Sequence, residues 1–222
     1  MNDQTSAPAS SSGAEDAAPV TRKRPKPGER RVQILQALAA MLEQPGAERV
    51  TTAALAARLE VSEAALYRHF ASKAQMFEGL IDFIEQSVFS LVNQIVEQAP
   101  ADPGANARDV GAGQAARIVA MLLQFAEKNP GMTRVMVGDA LVFENERLQQ
   151  RMNQFFDKIE ATLRQALREA AAADGSATPT VDAQVRASAL TSFTVGRLQR
   201  FARSGFKRLP SEHLEASVAL ML

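Results

Sequence analysis

The 222-residue sequence contains no cysteine and no tryptophan, and it has only two histidines and one tyrosine. Without cysteine the chain can form neither a disulfide nor a thiolate metal site, which agrees with a reducing compartment. His69 and His213 are far apart in the sequence, and no glycine-rich phosphate loop or HExxH motif is present. We therefore expect neither an enzyme nor a metal or cofactor site.

Long apolar runs and a signal sequence are also missing. Runs such as Ile118 to Leu123 are far shorter than the roughly 20 residues that a membrane-spanning helix needs. The N-terminus lacks the apolar core of a signal peptide. A hydrophobic content of 46% nevertheless suffices to bury a core in one domain or two small ones. These features predict a soluble, cytoplasmic protein with no membrane contact.

Charge is balanced over the whole chain but unevenly distributed along it. The sequence has 25 basic and 25 acidic residues, whereas residues 21–75 carry ten basic residues against five acidic ones, a net charge of +5. Such a local excess attracts polyanions even when the whole chain is neutral. The N-terminal third is therefore a candidate nucleic-acid-binding region.

Two kinds of segment precede the first predicted helix. Residues 1–20 are mostly Ala, Ser and Pro with almost no large apolar side chain, so we expect them to be disordered. Thr21 to Arg31 is a basic arm that includes Arg22, Lys23 and Arg24. It is able to track phosphates or enter a minor groove, and a solubilising tail is an equally good interpretation.

Three short amphipathic segments follow the arm. The first, Gly28 to Glu43, ends before Pro45-Gly46. Two more, Thr52 to Leu59 and Glu63 to Phe70, also have apolar residues at helical spacing. Their order predicts a three-helix DNA-binding unit with a helix-turn-helix. The apolar face of the first helix consists of Val32, Leu35, Leu38, Ala39 and Leu42.

Polar residues predict where the later helices begin. Thr51 and Ser62 occupy N-cap positions, and Ser72 with Gln75 makes a capping box that opens a longer helix. The turn between the two short helices holds Glu60 where a glycine normally supplies a positive φ. Keeping the left-handed conformation there costs roughly 1 kcal/mol, so we expect a looser turn than usual.

The second helix of this motif carries side chains suited to reading DNA. Small residues let the backbone approach a groove, and polar side chains donate to phosphates. A two-helix corner of an ordinary all-α domain is the alternative interpretation, but the donors cluster where a helix in the major groove meets the DNA backbone. The residues concerned are Ser62, Ala64, Ala65, Tyr67, Arg68 and His69, with Lys73 at the start of the next helix.

Beyond residue 73 the whole chain has helical periodicity. Small residues and apolar stripes on the last two long helices predict a homodimer built as a four-helix bundle. We interpret Glu144 and Glu146 as a solvated helix start rather than a site. The predicted helices run from about Lys73 to Gln98 and from Ala107 to Lys128, where Asn129-Pro130-Gly131 ends the second; a shorter one follows to about Glu144, then a long one to Ala173, one from Val181 to Ser204, and a short one after Pro210.

Several of these segments together resemble the TetR family of bacterial regulators. They are the basic arm, TTAALAARL, VSEAALYRHFASK, and the stretches SKAQMFEGLIDFIEQS and FAEKNPGMTRVMVGDALVFENERLQQRMNQFFDKIEATLRQALRE. Within the family, the chain resembles the nucleoid occlusion factors, which bind chromosomal DNA sites and the division protein FtsZ. The resemblance implies an all-α, TetR-like fold with a tail and arm (1–27), a helix-turn-helix domain (28–73) and a helical regulatory, dimerisation and partner-binding domain (74–222).

The resemblance also implies roles for individual residues. It implies double-stranded DNA contacts by Thr51, Thr52, Ser62, Ala64, Ala65, Tyr67, Arg68, His69 and Lys73. It implies FtsZ contacts along the long connecting helix and the next one, for which Phe83, Met121, Lys128 and Asn129 are the candidates. Helical spacing places Phe83 roughly 100° from the apolar stripe, beside two serines, where an exposed aromatic side chain suits a partner. Packing of Phe83 under the next helix is an equally good interpretation.

Two hypotheses remain for the second domain. It is either a platform that binds a partner protein under the control of DNA binding, or the small-molecule receptor of a repressor that releases DNA when its ligand is bound. An effector pocket needs several polar groups inside an apolar cavity, and the predicted helix faces offer few. The pattern therefore favours the platform, with no small-molecule ligand expected.

Overall fold

The computed structural model describes residues 28–44, 50–98, 104 and 106–222. Within these ranges the chain is helical and forms no strand, which confirms the all-α prediction. The α-helices in these ranges are α1 Glu29–Leu42, α2 Thr52–Arg58, α3 Glu63–Tyr67, α4 Lys73–Glu97, α5 Ala107–Lys128, α6 Pro130–Met136, α7 Glu146–Ala173, α8 Pro179–Arg203 and α9 Leu214–Ala219. A 3-10 turn, Asp139–Leu141, lies between α6 and α7. No helix in the described ranges is long and apolar enough to cross a bilayer.

The predicted N-caps of the helix-turn-helix are confirmed. The side-chain oxygens of Thr51, Ser62 and Ser72 each accept a hydrogen bond from the backbone N–H three residues later. The capping box differs by one residue from the expected pattern, because the Gln75 side chain accepts from the Ala71 N–H rather than from Ser72. Each cap satisfies an amide that the first turn leaves without a helical partner.

The turn between α2 and α3 is tight, so the expectation of a looser turn is wrong. Glu60 adopts the left-handed conformation with φ 54°. Its N–H donates to the Ala57 carbonyl, and the Val61 N–H donates to the Ala56 carbonyl at 3.0 Å. These are the two bonds of a Schellman motif, and they outweigh the steric cost of a side chain at this position.

Helix α4 joins the helix-turn-helix to the rest of the chain. Its N-terminal half buries Met76, Phe77 and Leu80, and its C-terminal half buries Val88 and Val92, all within one continuous apolar core. The predicted boundary at residue 73 therefore stays a prediction, since no break in the core marks it.

Helix α1 packs on α4 and α6, with one difference from the sequence pattern. Val32, expected on the apolar face, is exposed, and Ile34 is fully buried in its place. Gly131 at the start of α6 lies so close to α1 that a Cβ there would collide with the Ala39 carbonyl. A glycine is thus required for this approach of two helices.

Helices α7 and α8 form an antiparallel pair. Residue 184, near the start of α8, bonds to Glu160 and Arg164 on α7. Val195 and Gln199, near the end of α8, share a groove with Met152 on the first turns of α7. The end of α8 therefore lies beside the beginning of α7. The apolar stripe of α7 is buried as expected, at Leu148, Met152, Phe155, Ile159, Leu163 and Leu167.

Candidate nucleic-acid interface

The α3 helix presents most of its predicted DNA contacts to solvent. Ala64, Arg68 and His69 are exposed, and Tyr67 is 45% exposed although it is a large aromatic residue. Ala65 is partly buried. Leu66 and Phe70, on the other side, are fully buried and fix the helix against the core. This arrangement leaves a short face of small and hydrogen-bonding side chains free to enter a groove.

The hydroxyl groups at the helix starts differ in whether their O–H is free to donate to DNA. Thr51 and Ser62 are exposed, and each oxygen accepts a backbone N–H at 3.1 and 3.3 Å. Their O–H groups remain able to donate to a phosphate. Thr52 is different, because its hydroxyl donates to the Glu63 carboxylate at 2.6 Å. A DNA contact by Thr52 would have to replace that bond.

Arg31 is a positioning residue that the sequence pattern does not single out. Its guanidinium lies 4.1 Å from the centre of the Phe70 ring and donates to the His69 carbonyl at 3.0 Å. The contact joins the start of α1 to the end of α3, the candidate recognition helix. No sequence signal reveals it, since the two partners are 38 residues apart.

Lys73 is engaged within the protein. Its ammonium lies 2.5 Å from a carboxylate oxygen of Glu144, and the Glu144 side chain is only 10% exposed. The interpretation of Glu144 as part of a solvated helix start is therefore wrong, whereas Glu146 is exposed. A phosphate at the start of α4 would compete with this carboxylate for the lysine.

Three further ion pairs, made by two arginines, continue along α4 and α7. Arg147 pairs with Glu78, and Arg151 pairs with both Asp82 and Glu85, at 2.9 and 2.7 Å. Burial alone would lower the pKa of Arg151, but the two carboxylates outweigh it and raise that pKa above its ordinary value. Together with Lys73, these contacts fix the start of α7 to the helix that follows the DNA-binding motif.

Arg22, Lys23 and Arg24, the predicted contacts of the basic arm, lie outside the described residues. Their role stays a prediction.

The candidate partner residues lie on α4 and α5. Phe83 is 42% exposed, with Ser87 and Ser90 on the same side of α4. Lys128, at the end of α5, is exposed. Met121 is partly buried against the core. Asn129 caps the end of α5, donating from its side chain to the Phe125 carbonyl at 2.8 Å, so it has a local structural role.

Comparisons with known proteins agree with this architecture. Residues 34–80 match the family described as "Bacterial regulatory proteins, tetR family", and residues 113–222 match "Tetracyclin repressor-like, C-terminal domain". Among solved structures, the regulator FadR from Bacillus subtilis in complex with stearoyl-CoA superposes with a TM-score of 0.67 at 15% identity, covering 86% of this chain and 96% of that one. The TetR family regulator PfmR from Thermus thermophilus gives 0.65 at 20% identity, covering 86% and 95%.

The chain belongs to the TetR family of bacterial regulatory proteins. Within that family it is similar to proteins named nucleoid occlusion factor SlmA. The SlmA of Vibrio cholerae serotype O1 is 49% identical over 193 residues, which cover 86% of this chain and 93% of the relative. The SlmA of Aliivibrio fischeri strain MJ11 is 49% identical over 198 residues, covering 89% and 96%.

Proposed function

We propose that this protein is a sequence-specific DNA-binding nucleoid occlusion factor. It binds double-stranded chromosomal sites as a homodimer, remains associated with the nucleoid in the cytoplasm, and antagonises assembly of the FtsZ ring there. It performs no catalysis. The identity of 49% to proteins named for nucleoid occlusion, over nearly their whole length, is the observation that carries the proposal.

The exposed α3 face supports the DNA-binding part. Tyr67 and Arg68 are exposed beside the small side chain of Ala64, and two N-cap hydroxyls flank them with O–H groups able to donate. Side chains of this kind position a helix on phosphates and let it approach base edges.

An exposed face on α8 supports the homodimer. Val181 and Val185 are 59% and 62% exposed, and Ala189 is also exposed. The position of Gly196 is open, since a Cβ there would meet nothing within 4 Å. Apolar and small residues along one side of a long helix allow close packing against a symmetry-related copy. Two helix-turn-helix units would then face two half-sites.

Phe83 and Lys128 support the partner-binding part. An exposed phenylalanine is a suitable anchor for a partner segment, and an exposed lysine at a helix end suits an acidic one. The two residues lie on different helices from the recognition helix, so DNA and FtsZ can occupy the chain together.

The DNA contacts are tested with Tyr67→Ala and its matched variant Tyr67→Phe, which removes only the hydroxyl. A duplex selected from random sequence by the wild-type protein serves as the site. We expect Tyr67→Ala to weaken specific binding by about 1 kcal/mol or more, roughly fivefold, with sedimentation showing an unchanged dimer. If fluorescence anisotropy finds both variants equal to wild type, α3 is not the reading element.

The FtsZ contact is tested with Lys128→Asp, and Lys158→Asp on α7 reverses the charge of another exposed lysine as the control. We expect the first variant to lose FtsZ in co-sedimentation while keeping its DNA affinity, because one exposed charge change costs little stability. Site duplex should strengthen FtsZ binding of the wild type if the two sites are coupled, since coupling is reciprocal. Equal FtsZ binding by the two variants would contradict this surface.

A ligand-responsive repressor is the second candidate function, favoured by one cavity. A space of about 410 Å³ between α5 and α9 is lined almost entirely by apolar side chains, including Ala116, Leu214 and Val218. This volume is within the range of ligand sites. Stearoyl-CoA, present in the Bacillus subtilis FadR structure, is a first probe. If stearoyl-CoA releases the protein from the site duplex, and the protein binds FtsZ in no condition, the repressor is favoured.

A further inference from the structure

A second group of cations lies far from the recognition helix in the sequence. Between residues 183 and 211 there is no aspartate or glutamate, although this stretch holds six basic residues. Four of them are exposed at the end of α8 and in the loop after it. We call these four the α8 cationic patch: Arg200, Arg203, Lys207 and Arg208.

The loop that carries half of the patch is held in one conformation. The Ser204 hydroxyl accepts from the backbone N–H groups of Lys207 and Arg208 at 3.1 and 3.0 Å. The Phe206 ring packs edge-on against Phe201 at 5.2 Å. The Arg134 guanidinium of α6 lies 5.1 Å from the centre of the Phe206 ring. The loop is therefore positioned before any ligand arrives, which lowers the entropy cost of binding.

The patch cations have no acidic partners among the described residues. The ion pairs found there involve other cations, at Lys73, Arg108, Arg147, Arg151 and His213. Four uncompensated positive charges so close together repel one another, and an external anion removes that repulsion.

The topology places the patch on the DNA-binding side of the regulatory helices. Lys73, at the start of α4, pairs with Glu144 just before α7. From there α7 runs 28 residues away, about 42 Å at 1.5 Å per residue, and α8 returns antiparallel over 25 residues. The end of α8 is thus level with the start of α7, and the loop after it contacts α6 through Arg134 and Phe206. Gly131 of α6, packed against Ala39 of α1, connects the same two regions.

We infer that the α8 cationic patch binds phosphates of the duplex that the helix-turn-helix reads, outside the contacts made by the recognition helix. The inference deepens the proposed DNA-binding function and rests on it. A DNA backbone fits better than a short acidic peptide, because the patch lies at the end of the molecule that faces DNA. Its contribution is sequence-independent, since phosphates carry no base information.

The test compares two double variants of the full chain. Lys207→Gln with Arg208→Gln removes the loop cations, and Lys158→Gln with Arg168→Gln removes two exposed cations of α7 as the control. Binding to a selected site duplex with flanking DNA is measured by anisotropy at several salt concentrations. We expect the slope of log K against log salt to become shallower by about 1 to 2 in the patch variant alone, since each phosphate contact contributes about 0.9.

Two results would overturn or redirect this inference. Equal slopes for the patch and control variants would show that the patch does not contact phosphates of the duplex. If the patch variant keeps the wild-type slope but, unlike the wild type, no longer binds poly-glutamate, the patch binds acidic polypeptides instead. Both results leave the proposed function intact. That function fails separately if the wild-type protein shows no preference for any selected duplex over random DNA.

Discussion

The ion pair between Lys73 and Glu144 joins a predicted DNA contact to the regulatory helices. Replacing Glu144 by Gln keeps the shape of the side chain and removes its charge. Exposed ion pairs contribute less than about 1 kcal/mol, and breaking a fully buried one costs about 3–5 kcal/mol. The two side chains are 30% and 10% exposed. We therefore expect Glu144→Gln to lower the free energy of unfolding by about 1–3 kcal/mol.

The same substitution should have the opposite effect on DNA binding. In the free protein Glu144 holds the Lys73 ammonium at 2.5 Å, so a phosphate must compete with it. Without that carboxylate the lysine is available, and the slope of log K against log salt should steepen by up to about 0.9. Affinity at low salt should rise about two- to fivefold, which corresponds to roughly 0.5–1 kcal/mol.

The assay combines denaturant unfolding with fluorescence anisotropy on the selected site duplex. Glu78→Gln is the matched control, because it breaks a neighbouring α4–α7 ion pair whose cation, Arg147, is not a predicted DNA contact. A double-mutant cycle with Lys73→Gln isolates the energy of the pair itself. If Glu144→Gln is less stable but binds DNA with unchanged affinity and slope, Lys73 does not contact DNA. A coupling energy near zero would show that the pair does not stabilise the fold.

Substitutions at Glu60, Gly131 and Gly196 give three further tests of the packing. Glu60→Gly should be more stable than Glu60→Ala by about 1 kcal/mol in chemical denaturation, because only Ala retains a Cβ at φ 54°; equal stability would show that the turn is unstrained. Gly131→Ala should cost about 1–3 kcal/mol through collision with the Ala39 carbonyl, while Gly113→Ala, where a Cβ meets nothing within 4 Å, should be neutral or stabilising. Gly196→Arg should convert the dimer to monomer in sedimentation if the α8 face is the interface, and a dimer that persists would place the interface elsewhere.

Local sequence patterns predicted most of the helices well, but the short helix expected to reach about Glu144 is too long, since α6 ends at Met136 and a 3-10 turn follows. The bounds of α4, α5 and α7 agree with the predicted ones to within two residues, since apolar periodicity and N-cap residues act over three or four positions. The positive φ at Glu60 was also foreseeable from its place in the motif. The tightness of the turn was not foreseeable, because it depends on backbone hydrogen bonds that the identity of the residue does not specify.

For the candidate site, the sequence indicated which polar residues of α3 are exposed, but not the contacts that hold them in place. Arg31 contacts His69 and Phe70 only because the fold brings the start of α1 to the residues that follow α3. The Thr52 hydroxyl donates a hydrogen bond to the Glu63 carboxylate across the turn. Contacts of this kind join residues that are distant along the chain, and periodicity within one helix contains no information about them.

By itself the sequence determined the helical class, the position of the helix-turn-helix and the uneven distribution of charge, because each of these follows from neighbouring residues. The tertiary structure alone decided that Glu144 restrains Lys73 and that the end of α8 returns to the level of the start of α7. The physical reason is that an ion pair between residues 71 positions apart, and the direction in which a helix returns, depend on how helices pack against one another.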